Sequence, residues 1–188
     1  MCLGVGPGYP ADNPTAARDD TTSWCASCQN EKPERSHHCH MCGSCILKMD
    51  HHCPWINDCV GEKNQPYFVL FLVYVFLATG YVCVYIALCE IGLVGDSSEN
   101  SGMSRVPLLL FSFVLSCSLV VALIFFVGWS CYLVCTNQTS IEVQINNEEM
   151  KRDPLFVNPY DLGSRRLNVQ SVFGEYKSSW KLLIPRWR

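Results

Sequence analysis

The chain lacks charged side chains over two long stretches, and its first residues lack the apolar run of a secretory signal. Those first twenty residues are instead rich in Gly, Pro, Ala and Asp. Without such a signal, the 13 cysteines among 188 residues do not predict a secreted disulfide framework. We therefore expect reduced thiols on the cytosolic side, where cysteines are free to bind metal.

Dense basic charge is also missing. The 14 Lys and Arg residues are outnumbered by 17 Asp and Glu residues, and no stretch combines basic and aromatic residues in the pattern typical of nucleic-acid recognition. A zinc finger that binds nucleic acid is disfavoured further, because the cysteine-rich segment carries more acidic than basic charge. We expect no nucleic-acid partner.

The two charge-free stretches are long enough to cross a bilayer. Residues 66–89 would form a helix of about 36 Å, against a hydrocarbon core of about 30 Å. The second stretch runs from Val106 to Cys135, and we place its span at 107–131. The polar, glycine-containing segment 90–105 is expected to be a lumenal or extracellular loop between the two spans.

The basic residues predict how these spans are oriented. Five of the 14 Lys and Arg precede Pro66, Arg105 lies between the stretches, and eight follow Glu142. Because Lys and Arg resist translocation in short loops, both flanks are predicted to be cytosolic. Besides the spans and their loop, we predict an extended lead-in, a cysteine-rich zinc domain and a cytosolic C-terminal region, at 1–23, 24–65 and 132–188.

The predicted fold class is therefore an α-helical membrane protein. It has two transmembrane helices, a small cysteine-rich zinc-bound domain with short hairpins, and a cytosolic C-terminal segment. The region after the second span is expected to be helical in part. At the C-terminus, Trp180 begins an apolar helical pattern suited to a membrane interface, although Pro185 interrupts it and a plain aromatic-rich tail is the alternative.

The cysteine-rich segment holds more soft ligands than two metal sites need. A segment of about 40 residues cannot fold on apolar burial alone, so metal is expected to supply the missing stability. Two tetrahedral zinc sites need eight ligands. One histidine in each site would complete the count, and spacing alone leaves the pairing open. The cysteines that fit are two CxxC pairs and two single residues: Cys25, Cys28, Cys39, Cys42, Cys45 and Cys59.

The count leaves one cysteine of the motif KMDHHCPWINDC, Cys53, outside the metal sites. A free thiol beside imidazoles can act as a nucleophile, because an adjacent base raises its thiolate fraction. We predict that His51 takes the thiol proton and that Asp50 orients the imidazole, as in a catalytic triad. The alternative is that Asp50 and His51 only cap and pack a zinc loop. His37 and His40 also remain outside the count.

These motifs resemble those of a known family. The segment CASC…HHCHMCGSCILKMDHHCPWINDCVGEKN is similar to the cysteine-rich domain of the DHHC protein S-acyltransferases, the palmitoyltransferases. QTSIE resembles the TTxE box of that family, and NPYDLGSRRLNVQSVFG resembles its C-terminal motif. In the box, Ser140 replaces the second threonine, and because the hydroxyl is kept we expect its polar contact near the active site to be kept. The resemblance extends from about Gly6 to Gly174.

The resemblance implies roles for individual residues. Cys53 would accept the acyl group, His51 would be its base, and Asp50 would orient His51. Asn64 and Phe68 would belong to the segment that leads into the first helix, and Asn168 to the C-terminal motif. The implied zinc sites are interleaved, with Cys25, Cys28, His38 and Cys45 in one and Cys39, Cys42, His52 and Cys59 in the other.

The implied function is transfer of a long-chain acyl group from acyl-CoA, such as palmitoyl-CoA, to cysteines of substrate proteins through an acyl-cysteine intermediate. Two structural zinc ions, the bilayer, acyl-CoA and proteins with cytosol-facing cysteines are the implied cofactors and partners. The implied location is a Golgi or endoplasmic reticulum membrane, with the zinc domain cytosolic. Cys131 and Cys135, near the interface, are further candidates for acylation.

The family usually has two more spans before its cysteine-rich domain. Their absence here makes a catalytically inactive, membrane-anchored zinc-binding adaptor or a truncated isoform the alternative expectation.

Overall fold

The computed structural model describes residues 5–10, 23–90 and 105–175. The C-terminal pattern at Trp180, most of the predicted lead-in and most of the predicted loop lie outside the described residues. The described elements are six short strands followed by four helices: β1 (Trp24–Cys25), β2 (Asn30–Glu31), β3 (His37–Cys39), β4 (Ser44–Ile46), β5 (His51–Cys53), β6 (Asp58–Val60), α1 (Gln65–Glu90), α2 (Arg105–Thr136), α3 (Ser140–Arg152) and α4 (Arg165–Phe173).

The chain divides into two compact units. Unit 1 comprises Met1–Leu70 and Cys131–Arg188, and unit 2 comprises Phe71–Ser130. Unit 1 therefore holds the strands, both short helices, the N-terminal end of α1 and the C-terminal end of α2. Unit 2 holds the remaining parts of α1 and α2.

The strands pair as three antiparallel hairpins, β1–β2, β3–β4 and β5–β6. Each hairpin turns through one residue in the left-handed region: Gln29 at φ 51°, Gly43 at 66° and Asn57 at 50°. Strands of two or three residues bury too little apolar surface to be stable alone. The hairpins therefore need other links to hold them in place.

Part of that support comes from the loop before α1, where the backbone packs closely at Gly61. A Cβ at this position would lie 2.7 Å from the Cγ2 atom of Ile46 and 2.7 Å from the carbonyl oxygen of Pro7. Only glycine allows this approach. The backbone N–H groups of Leu47 and Lys63 donate to the carbonyl oxygens of Gly8 and Pro7, at 3.0 Å and 3.1 Å. These bonds join residues 5–10 to the cysteine-rich segment.

Helices α1 and α2 are apolar around their whole circumference and long enough to cross a membrane. Large side chains stay exposed in unit 2, with Tyr81 71% and Phe125 72% accessible. A core helix of a soluble protein would bury such residues, so their exposure fits contact with lipid. Within unit 2, the Sγ atoms of Cys83 in α1 and Cys117 in α2 are 3.4 Å apart. The membrane helices and short hairpins of the predicted fold class are confirmed.

Helix α2 ends in a Schellman motif at Thr136. Asn137 adopts a left-handed φ of 52°. Its N–H donates to the carbonyl oxygen of Val134 at 3.3 Å, and the N–H of Gln138 donates to that of Leu133 at 3.0 Å. The chain then turns sharply towards α3.

Three side chains bind carbonyl groups at this end of the chain segment, two of them on the last residues of α2 and one on Asn137 just after it. They come from distant parts of the chain, since two belong to the region after α3 and one to the cysteine-rich segment. Asn168 donates to the carbonyl oxygen of Cys135 at 2.7 Å, Asn158 to that of Thr136 at 2.8 Å, and Arg35 to that of Asn137 at 2.8 Å.

Candidate functional site

Two groups of cysteine and histidine side chains come together in unit 1. In each group the candidate ligand atoms all lie within 4.8 Å of one another. The groups are the two sets that the resemblance implies: Cys25, Cys28, His38 and Cys45, and Cys39, Cys42, His52 and Cys59. Spacing had left this pairing open, and the folded hairpins bring these sets together.

The dimensions of the clusters fit zinc. In a tetrahedral site, Zn–S bonds of about 2.3 Å and Zn–N bonds of about 2.0–2.1 Å put sulfur and nitrogen about 3.6 Å apart. The Nδ1 atom of His38 lies 3.6 Å and 3.2 Å from the sulfurs of Cys25 and Cys28. The corresponding distances from His52 to Cys39 and Cys42 are 3.6 Å and 3.3 Å. A zinc ion held by four protein ligands has no open position, so these clusters suit structural metal.

The three hairpins form an internal repeat that was not predicted from the sequence. In each hairpin a cysteine is the last residue of the first strand and pairs with the first residue of the second strand. The pairs are Cys25 with Asn30, Cys39 with Ser44, and Cys53 with Asp58. These cysteines recur every fourteen residues, and that spacing was the signal that could have revealed the repeat. Each cluster takes a CxxC pair from one hairpin and a cross-strand His–Cys pair from the next.

Asp50, His51 and Cys53 lie together at the third hairpin, outside both clusters. The Oδ2 atom of Asp50 is 2.8 Å from the Nδ1 atom of His51, which leaves Nε2 of the imidazole for the thiol. Cys53 is buried, with 3% of its surface accessible, in an apolar cluster that includes Tyr67. The ring of Phe68 packs edge-on against the imidazole at 5.3 Å.

Asp50 and His51 each favour the charged form of the other. Burial alone would raise the pKa of Asp50, but hydrogen bonds from His51 and from the backbone of Ser140 hold that pKa below its ordinary value. Burial likewise opposes protonation of His51, yet the hydrogen bond and charge of Asp50, with a smaller contribution from Cys53, raise the pKa of His51. The imidazole is therefore a stronger proton acceptor than an ordinary histidine.

The segment resembling the TTxE box begins α3 and reaches this carboxylate. Thr139 is the N-cap: its Oγ1 accepts from the N–H of Glu142 at 3.2 Å, while its own N–H donates to the Glu142 carboxylate at 2.8 Å. The next N–H, of Ser140, donates to the Oδ1 atom of Asp50 at 2.5 Å. The Ser140 side chain also hydrogen-bonds Asp50 and helps to lower its pKa. The contact expected of this residue is confirmed.

A buried ion pair connects the same box to the cysteine-rich segment. The Nε and Nη2 atoms of Arg35 donate to the two carboxylate oxygens of Glu142 at 2.6 Å and 2.8 Å. Glu142 is 2% accessible, and the guanidinium group also lies 4.2 Å from the ring centroid of Tyr160. No short-range pattern predicts a pair separated by 107 residues, so this ion pair was not predicted from the sequence.

Lys48 forms a further link that the sequence did not reveal. Its Nζ atom donates to the Oδ1 atom of Asn137 at 2.9 Å, and the Asn137 amide donates to the carbonyl oxygen of Tyr160 at 2.8 Å. Burial, together with the positive charge of Arg35, lowers the pKa of Lys48 to about 8. The loop that leads to Asp50 is thereby joined to the end of α2.

The other residues named from the sequence lie outside the two cysteine–histidine clusters and the Asp50–His51 pair. Asn64 is fully buried, accepts from the N–H of Gly61 at 2.8 Å and donates to the carbonyl oxygen of Cys59 at 2.8 Å. His37 is partly buried, and His40 is exposed with its ring 5.0 Å from that of His38. Cys131 is exposed and Cys135 is partly buried.

Comparison with known proteins identifies relatives of this chain. A family model described as DHHC palmitoyltransferase matches residues 18–147. The palmitoyltransferase ZDHHC15 of Xenopus laevis is 37% identical over 175 residues, covering 91% of this chain and 48% of the relative. The probable protein S-acyltransferase 12 of Arabidopsis thaliana is 38% identical over 160 residues, covering 85% of this chain and 53% of the relative.

A fungal protein gives the same result. The palmitoyltransferase PFA3 of Saccharomyces cerevisiae (strain ATCC 204508 / S288c) is 35% identical over 188 residues, covering 93% of this chain and 54% of the relative. The chain thus spans about half the length of the curated relatives it matches.

Proposed function

Since this chain belongs to the DHHC palmitoyltransferase family, we propose that it carries out protein S-acylation, with Cys53 as the residue that accepts the acyl group. The observation that carries the proposal is the contact of Asp50 with His51 beside a buried thiol that neither cysteine–histidine cluster includes. Several relatives are named palmitoyltransferase or protein S-acyltransferase, which supports this reaction class.

The first step forms the acyl-enzyme. The Cys53 sulfur attacks the thioester carbonyl carbon of a long-chain acyl-CoA while His51 takes the thiol proton. The bond between that carbon and the CoA sulfur breaks, and CoA leaves as a thiol after receiving the proton. Asp50 keeps the imidazole in the orientation and tautomer that this transfer requires.

The second step moves the acyl group to a substrate protein. A cysteine thiol of the substrate gives its proton to His51 and attacks the carbonyl carbon of acyl-Cys53. The bond to the Cys53 sulfur breaks, the product carries the new thioester, and Cys53 recovers its proton. The two cysteine–histidine clusters would hold zinc, which would supply cross-links between hairpins and no chemical step.

A position at the membrane suits this substrate. Burial of each CH₂ group contributes about 0.8 kcal/mol, so an acyl tail of about fourteen methylenes gains on the order of 10 kcal/mol in apolar surroundings. A thiol at the boundary can meet the thioester while CoA stays in water. We propose an endomembrane location, in the Golgi or endoplasmic reticulum, with the zinc domain and C-terminal region cytosolic and substrates that present cytosolic cysteines.

The test is self-acylation of the purified chain in nanodiscs with a labelled palmitoyl-CoA. Hydroxylamine-sensitive label should appear on the wild-type chain and disappear in Cys53→Ala and Cys53→Ser, while bound zinc stays at two per chain. Cys89→Ser, which removes a thiol of α1 outside the site, should keep the label. Thioester label that persists in Cys53→Ala contradicts the assignment. A chain that binds zinc but never acquires label supports the alternative, a membrane-anchored zinc-binding adaptor.

A further inference from the structure

The three hairpins are equivalent in backbone but not in side chains. Four residues after Cys25, Cys39 and Cys53, the chain takes a left-handed φ of 51°, 66° and 50° at Gln29, Gly43 and Asn57. In the first two hairpins the backbone N–H of the second CxxC cysteine lies 3.4 Å from the sulfur of the first. The third hairpin repeats this turn without a second cysteine.

Ile56 occupies that second position in the third hairpin. It corresponds to Cys28 in the first hairpin and to Cys42 in the second. Ile56 is 7% accessible and belongs to the same buried apolar cluster as Cys53. Cys53 therefore shares a buried apolar cluster with a hydrocarbon side chain at the position where the equivalent cysteines have a second metal-binding sulfur.

The other ligands of a third metal site are also replaced. In both clusters a histidine follows the first cysteine by 13 residues, and a second cysteine completes the set further along the next hairpin. The corresponding positions after Cys53 are Pro66 and Val73, and neither side chain can bind metal. Of these three replacements, Ile56 is the one that belongs to the same buried apolar cluster as Cys53.

We propose that Ile56 is a positioning residue that keeps the Cys53 sulfur free of metal, so that the third hairpin retains a reactive thiol. A thiolate held in a CxxC pair by zinc has its lone pair engaged and is a poor nucleophile. With isoleucine at position 56, Cys53 keeps the knuckle backbone but has no partner sulfur. This inference rests on the proposed function of Cys53, which it extends to the residue that protects it.

The experiment compares Ile56→Cys with Ile56→Ser, which differ only in sulfur against oxygen. Both variants lose the same apolar contact, so any folding defect is shared. The zinc-loaded chains are held in nanodiscs with a phosphine reductant, which prevents a disulfide. Cd²⁺ is then added as the probe, and alkylation of Cys53 by a small maleimide is followed by peptide mass spectrometry.

In Ile56→Cys, Cd²⁺ should protect Cys53, and a chelator too weak to remove the structural zinc should reverse the protection. At a Cd²⁺ concentration a hundred times its Kd, alkylation should slow about a hundredfold. The wild-type chain and Ile56→Ser should show no such protection. Total bound metal should rise from two to three ions per chain only in Ile56→Cys, and its self-acylation should fall when the third ion binds.

Two results would overturn the inference. One is equal alkylation of Cys53 in Ile56→Cys and Ile56→Ser with Cd²⁺ present. The other is protection of Cys53 by Cd²⁺ in the wild-type chain, because Ile56 would then not prevent binding. The readouts also separate this inference from the proposed function. If Ile56→Cys captures metal but the wild-type chain never self-acylates, the inference is supported and the acyl-transfer assignment is wrong. If the wild-type chain self-acylates but Ile56→Cys captures no metal, the assignment is supported and the inference is wrong.

Discussion

Unit 1 and unit 2 use their side chains in different ways. The described buried polar residues lie in unit 1, apart from Ser130 at the edge of unit 2. Among the described residues, every buried side-chain nitrogen or oxygen has a hydrogen-bond partner. The described residues of unit 2 are instead mostly apolar, and many of them are exposed, as in a segment whose hydropathy matters more than its particular contacts.

This difference predicts where single residues matter. In unit 1, side chains bind partners that are far away in sequence. The Asp50 carboxylate, for example, accepts from the backbone N–H of Ser140, 90 residues away. Removing such a residue leaves a buried group unsatisfied, which is costly. In unit 2 one apolar residue can replace another as long as the helix stays apolar. Matched substitutions in the two units should therefore differ in effect.

The largest difference is expected for the change of cysteine to alanine. Cys39→Ala removes a ligand from the second cluster and should release its metal and unfold the cysteine-rich segment, because structural zinc contributes about 10–16 kcal/mol to small domains. Bound zinc and protease resistance in nanodiscs are the measurements. Cys89→Ala in α1 should retain both. Equal zinc content in the two variants would contradict a metal role for this cluster.

A smaller loss is expected when the buried ion pair is broken. Arg35→Ala leaves the Glu142 carboxylate uncompensated, which should lower the free energy of unfolding by about 3–5 kcal/mol. Thermal unfolding followed by cysteine accessibility measures this. Arg166→Ala, at an exposed position of α4, is the control and should stay within about 0.5 kcal/mol of the wild type. Similar midpoints for the two variants would show that the pair adds little.

The third-largest loss of stability is expected when the Asn168 side-chain amide, which binds the end of α2, is removed. Asn168→Ala leaves the carbonyl oxygen of Cys135 and the N–H of Leu162 without their observed partner. Leu162 is 50% exposed, so water can replace the partner of its N–H, and the Cys135 carbonyl oxygen left unsatisfied costs about 1–3 kcal/mol. Hydrogen exchange at residues 133–137 and the unfolding midpoint report the effect. Asn147→Ala, on the exposed face of α3, makes the same chemical change and should alter neither; a matching shift there would point to general helix effects.

The smallest effects are expected for phenylalanine to leucine. Phe125→Leu, at a position 72% exposed in unit 2, should change stability by less than about 1 kcal/mol and leave self-acylation intact. Phe68→Leu removes the ring that packs edge-on against His51, a contact of about 0.5–1.5 kcal/mol. Its rate of self-acylation should fall severalfold without loss of zinc. If both variants acylate at the wild-type rate, the ring does not help to position the imidazole.

The apolar helices could be predicted from the sequence because hydropathy is a local property. The residue at which α2 ends, Thr136, depends on more than hydropathy. What stops it is the left-handed backbone of Asn137 and capping groups supplied by distant residues such as Asn168. Hydropathy carries no information about either.

Some contacts of the candidate site could be predicted from the sequence, and others could not. Adjacency in sequence was enough to suggest that Asp50 contacts His51, and CxxC spacing was enough to suggest metal binding. The choice of the histidine in each cluster came from family resemblance, because several imidazoles lie at similar spacing. The ion pair of Arg35 with Glu142 and the bond from Lys48 to Asn137 depend on how separate segments pack, so no local pattern could predict them.

The capped end of α2 has a consequence for the tolerance of this helix to changes in length. The carbonyl groups of its last two residues, and that of Asn137 just after it, are bound by side chains of Asn168, Asn158 and Arg35, so sliding by one residue, about 1.5 Å, would break all three bonds. A residue inserted or deleted in the middle of the helix should therefore be accommodated by displacement of its N-terminal end. Evolution can adapt this span to bilayers of different thickness from one side only.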